Sequence, residues 1–96
     1  MLALVKYGTG PRETELREVP VPEIGDDDLL IEVKAAGICG SDIAYDNGDH
    51  PNHLNCPVVL GHEFSGVVSK VGKNVTEWKV GDRVVSDNTG YVCGKC

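Results

Sequence analysis

The sequence predicts a mainly β domain, an antiparallel barrel or sandwich with little helix. Three observations predict it. Short β-favouring runs recur along the chain, turn-forming Gly, Pro and Asp separate them, and one run alternates strictly between apolar and charged residues.

The runs occupy residues 2–7, 15–21, 29–36, 64–71 and 83–86. The third is the clearest: Leu29, Ile31, Val33 and Ala35 fall on one face of a strand and Glu32 and Lys34 on the other, so one face is expected to be core. Gly8-Thr9-Gly10-Pro11 joins the first two runs, and residues 22–28, rich in Gly and acid, form an exposed turn before the third. Helix is expected only over residues 41–45, with Ser41 as N-cap, followed by a loop over residues 46–57. Gly66 and Gly72 mark a bent strand or a close backbone contact. There is no internal repeat and no low-complexity tract.

Ninety-six residues suffice for one small domain with a thin core. With 15 acidic against 9 basic residues the net charge is -6, which argues against a nucleic-acid surface, since phosphate binding needs clustered Lys and Arg. The expected partner is a small molecule or a protein. The first apolar run is too short for a signal sequence and lacks a basic lead-in, and no stretch approaches membrane-spanning length, so a cytoplasmic location is expected. In a reducing compartment the four cysteines are read as metal ligands or buried thiols, and the sequon at Asn74 is inert. Gly8 and Gly10 follow the first strand as in a dinucleotide fingerprint, but Glu13 stands where the third glycine belongs and no amphipathic helix follows. Any nucleotide binds outside this segment.

The chemistry concentrates in two glycine-dense segments, Cys39-Gly40-Ser41-Asp42 and Gly61-His62-Glu63. They offer thiolate, imidazole and carboxylate, the donors zinc prefers. A catalytic zinc takes three protein ligands and leaves a fourth position open, where it acts as a Lewis acid. Which three bind is not fixed by the residues alone, because His62 and Glu63 are neighbours and point to opposite faces of a regular strand. Gly61 can bend the chain to turn both inward, or Glu63 stands behind the metal, so Cys39 and His62 rank above it. Asp42 can accept the free ring N–H of His62 and fix its orientation; its alternative is a carboxylate in solvent on a helical turn. Ser41 can relay a substrate proton towards water, a role compatible with an N-cap serine.

Gly61-His62-Glu63, with Gly66, Gly72 and Val75 at their spacings, resembles the zinc signature of the medium-chain dehydrogenase/reductase family. Its neighbours agree: residues 37–42 resemble the family's first ligand segment and Val80-Gly81-Asp82-Arg83-Val84 its following turn and strand. Gly40 after Cys39, with Ser41 and Asp42 behind it, is more similar to the sorbitol, polyol and threonine dehydrogenase branch than to simple alcohol dehydrogenases. The resemblance implies a GroES-like partial β-barrel with residues 1–96 as the N-terminal part of its catalytic domain. Further strands and a nucleotide-binding Rossmann domain would lie outside this segment. It also implies a zinc enzyme that oxidises a secondary alcohol or polyol to a ketone with NAD or NADP, homo-oligomeric when full length. The segment alone is expected to be inactive and to carry an unpaired sheet edge and exposed apolar surface.

Cys93-Gly94-Lys95-Cys96 is half of a four-cysteine structural zinc site, and the family supplies two further cysteines after this point. A redox role for this C-x-x-C is disfavoured because it lacks a thioredoxin-like setting. Cys56 fits no ligand spacing and is read as a buried or half-buried thiol. His50 and His53 are solvated loop residues or approach substrate, and Trp78 and Tyr91 cover the core or line a cleft. The rival function is a non-catalytic zinc-binding or co-chaperonin-like module, whose metal would be closed by four protein ligands. A zinc-free quinone-reductase-like relative would leave Cys39 and His62 without a purpose.

Overall fold

The structure, a computed structural model, describes residues 1–50 and 54–87. It is mostly β with one short helix, arranged as two three-stranded sheets. The contacts divide the chain into one unit of Met1–Pro22 with Ile38–Gly61 and another of Glu23–Gly37 with the segment from His62 onward.

In the first unit, strand β1 (Leu2–Lys6) pairs antiparallel with β2 (Thr14–Glu18), Leu4 opposite Leu16 and Lys6 opposite Thr14. Alternation along β1 turns Ala3 and Val5 inward, at 8% and 4% exposure, and leaves Leu2 and Leu4 out. The turn between them is closed by Tyr7 N–H on the Glu13 carbonyl and by Gly10 N–H on the Glu13 carboxylate. The second run ends earlier than expected, at Glu18, because Pro20 and Pro22 have no N–H to give a ladder.

Helix α1 (Gly40–Asn47) starts one residue earlier than expected, and its N-cap lies two residues earlier. Cys39, in extended backbone, is its N-cap, and the Asp42 carboxylate at the third helical position accepts the Cys39 N–H at 3.0 Å. Ser41 is therefore inside the first turn rather than at its cap, which corrects the sequence reading. Gly48, in the left-handed region at φ 77°, ends the helix. A two-residue strand, β4 (Val58–Val59), lies against β1 on the side away from β2, and the sequence reading placed no strand there.

In the second unit, β3 (Leu29–Gly37) and β6 (Arg83–Val85) flank the central β5 (Glu63–Val71), all antiparallel. The expected apolar face of the third run is corrected. From Glu32 to Gly37 the strand is exposed on both faces, Val33 at 50%, and the irregularities in its pairing leave Ser69 of β5 and Lys34 of β3 without an opposite residue. The buried residues of this sheet's strands are instead Gly66 and Val68, both on β5. Gly66 of β5 sits opposite Val33 where the strands close in: a side chain there would collide with the Glu32 carbonyl and with Ile31 Cγ2. Large apolar side chains stay exposed in both units, among them Leu16, Ile38 and Val85.

Candidate metal centre

The ladder between β3 and β5 ends on the pair Gly37 and Glu63. Cys39 follows Gly37 by two residues and His62 precedes Glu63 by one, so the last rung brings both donor segments to the same end of the ladder. Cys39, His62 and Glu63 can hold a metal ion: each offers one ligand atom, and these atoms all lie within 4.8 Å of one another. Thiolate, imidazole and carboxylate are the donors zinc takes, so the donor chemistry fits zinc. The thiol and imidazole are half-buried and the carboxylate is exposed.

His62 and Glu63 reach one point because they do not share a regular strand. β5 begins at Glu63, and Gly61 just before it has φ 113°, a conformation that L side chains rarely adopt. At Gly37 an added side chain would press on the Glu63 carboxylate, 3.3 Å from its Cβ, so glycine there leaves room for that carboxylate.

Gly61 gives a clean test of the bend, because nothing lies within 4 Å of a Cβ added there and the cost is one of backbone alone. Gly61→Ala is expected to cost about 1–3 kcal/mol, as lost stability or as a relaxed backbone that moves His62 off the metal. Urea unfolding and zinc titration measure both. Gly40→Ala is the control, equally open but on ordinary helical backbone, and equal behaviour of the two variants would exclude a role for the bend.

Asp42 spends one carboxylate oxygen on the Cys39 N–H, which fixes the start of α1 at the thiol. Ser41 lies two residues from Cys39 on the same turn. Cys56 is a half-buried free thiol. His50 stacks on Tyr45, ring centroids 3.9 Å apart and 15° from parallel. Trp78 is 45% exposed and lines a surface depression together with Leu29 and Val75. Cys93, Cys96, His53 and Tyr91 lie outside the described residues. Glu32, five residues before Gly37 on β3, has its carboxyl held below the usual range by the hydrogen bond and charge of Lys34.

The sequence reading missed the surroundings of Glu63. A depression of about 400 Å³ borders it, walled by Ala35, Ala36, Gly37, Phe64 and Val85. Its signal is in the sequence only as small residues at the end of the third run, and the pairing register gives them meaning.

Residues 25–96 match the family described as the alcohol dehydrogenase GroES-like domain. The chain belongs to this family. Its two-sheet β architecture with one short helix is consistent with a partial GroES-like domain. Among relatives, L-threonine 3-dehydrogenase of Bacillus subtilis is 51% identical over all of this chain, which covers 28% of that protein. D-arabitol-phosphate dehydrogenase of Enterococcus avium is 50% identical, again over the whole chain and 27% of the relative. A solved NAD-dependent alcohol dehydrogenase superposes with a TM-score of 0.85 at 38% identity, covering all of this chain and 28% of the other. The GroES-like chain thus spans about a quarter of the length of the relatives it matches.

Proposed function

We propose that these 96 residues are the N-terminal part of the catalytic domain of a zinc-dependent oxidoreductase that converts a secondary alcohol or polyol to a ketone with NAD or NADP. The observation that carries this is the gathering of a thiol, an imidazole and a carboxylate at the open end of the β3–β5 ladder. A catalytic zinc takes three protein donors and keeps a position for substrate, whereas a structural one is closed by four, and the described residues supply three. The short coverage of the relatives and their dehydrogenase identities support a longer enzyme of the same kind. Half of a structural zinc site at Cys93 and Cys96 belongs to the same proposal.

Cys39 and His62 hold the metal, with Glu63 binding it or standing behind it. Zinc bound there supplies a Lewis acid that favours loss of the substrate's hydroxyl proton. Ser41, on the first turn of α1, passes that proton towards water, and Asp42 orients His62 with the carboxylate that also fixes the helix start. A nicotinamide held outside this segment would accept the hydride, so the segment alone is expected to be inactive. No helix among the described residues is long and apolar enough to cross a membrane. We place the enzyme in the cytoplasm as a homo-oligomer acting on a small molecule.

The full-length protein that carries these residues is expected to reduce NAD or NADP in the presence of a secondary alcohol or polyol, read as nicotinamide absorbance. The His62→Ala form should lose that activity. A purified, zinc-loaded full-length protein that reduces neither cofactor across a panel of such alcohols would leave the binding-module reading in its place.

A further inference from the structure

Helix α1 carries Cys39 as its N-cap and Ser41 in its first turn, yet it buries none of its residues. Apolar packing therefore does not fix where it stands. Ties to β1, β2 and the turn between them lie at its other end, on Asp46. The Asp46 carbonyl, one of the last four that a helix leaves without an internal partner, accepts the Arg12 N–H and faces the Lys6 ammonium at 3.4 Å. Its carboxylate accepts the Thr14 hydroxyl at 2.7 Å.

Lys6 is the unusual member of this group. It is 1% exposed, on the central strand of its sheet, and its ammonium also donates to the Gly10 carbonyl at 2.6 Å. Lysines are almost never buried to this degree without a specific partner. The last turn of α1 has no basic residue of its own, so the cation that complements the negative end of the helix comes from β1.

We infer that Lys6 is a positioning residue for the metal centre: by gripping the Asp46 and Gly10 carbonyls it fixes the rotation and axial position of α1, and so the place of the Cys39 thiol. An eight-residue helix is about 12 Å long and moves as a rod, so slack at Asp46 appears at Cys39. The inference rests on the reading of Cys39 as a metal ligand.

Cobalt(II) alone is the probe, titrated into the 96-residue chain in a Cys93→Ser/Cys96→Ser background so that those thiols do not report. Lys6→Met keeps the buried stem and removes the charge. It is expected to bind cobalt roughly tenfold more weakly and to show an altered thiolate-to-cobalt charge-transfer band at saturation. A role confined to stability would lower the melting temperature and leave the saturated band unchanged. Cys39→Ser is measured beside it and should lose the band. If Lys6→Met keeps the parent's affinity and spectrum while Cys39→Ser loses the band, the Lys6 inference is overturned and the metal reading stands. If Cys39→Ser keeps the band, both fall. Should Lys6→Met fail to fold, Thr14→Val decides, since it removes one tie to Asp46 and leaves Lys6 in place. About threefold weaker binding with an altered band is expected, and the parent's values would overturn the inference.

Discussion

Zinc bound by the 96-residue chain is expected to be lost when Cys39 and His62 are both replaced by alanine. The measurement is a competition titration against a chromophoric chelator, again with Cys93 and Cys96 replaced by serine so that one centre is counted. The expected loss is large because groups that merely orient a ligand already contribute about 10–100-fold to metal affinity. Removing two of three donors should therefore weaken binding by roughly ten thousandfold, taking the upper end of that range for each. Glu63→Ala separates two roles for the carboxylate. A loss as deep as that of His62→Ala alone makes Glu63 a direct ligand, and a loss of about tenfold places it behind the metal. Because thiolate and neutral imidazole are the binding forms, affinity should also fall as the solution is acidified. Equal zinc in the parent and the double variant would remove the site assignment, whatever the family of the chain.

Much of the fold can be read from the residues, and the misreadings share one cause. Period-two patterning and turn residues locate five of the six strands among the described residues, but patterning cannot see whether another layer covers a strand's face. From Glu32 to Gly37 both faces of β3 are exposed, so the alternation at Leu29, Ile31, Val33 and Ala35 marks a two-sided strand and not a face that another layer covers. Strand β4 is two residues long, too short for any periodicity to show. The start of α1 was misplaced because a cysteine is an unexpected N-cap, and the deciding contact is the bond from Cys39 N–H to Asp42. Lys6 shows the limit most clearly. Its partners are carbonyl oxygens of Gly10 and Asp46, 4 and 40 residues away, and carbonyls have no signature in a sequence. The donor residues of the candidate centre are conspicuous by type and spacing. What the sequence does not contain is the pairing of Gly37 with Glu63 that gathers them.

That pairing depends on a residue with no chemistry of its own, and Gly66→Val is expected to destroy it. Gly66 is buried in the central strand of its sheet, three residues from Glu63. A Cβ there meets the Glu32 carbonyl oxygen and the Glu32 carbonyl carbon at 2.9 Å, both backbone atoms of the paired strand, together with Ile31 Cγ2 at 2.7 Å. A side chain can rotate out of such a collision, but a paired backbone cannot without breaking its ladder. Overpacking of this kind costs about 1–3 kcal/mol, more where the obstacle is backbone. A domain of this length has about 5–14 kcal/mol in total, and with Ala3, Val5 and Val68 as its buried apolar residues this one stands at the low end. Gly66→Val should therefore lose most of its strand signal by circular dichroism and its cooperative unfolding in urea. Lys70→Val, exposed four residues further along β5, should stay within about 0.5 kcal/mol of the parent. A Gly66→Val chain as stable as the Lys70→Val control would show that β3 and β5 can separate at little cost. If instead it unfolds, zinc binding should go with it although Cys39, His62 and Glu63 are all intact, because the centre exists only while the last rung of that ladder is closed.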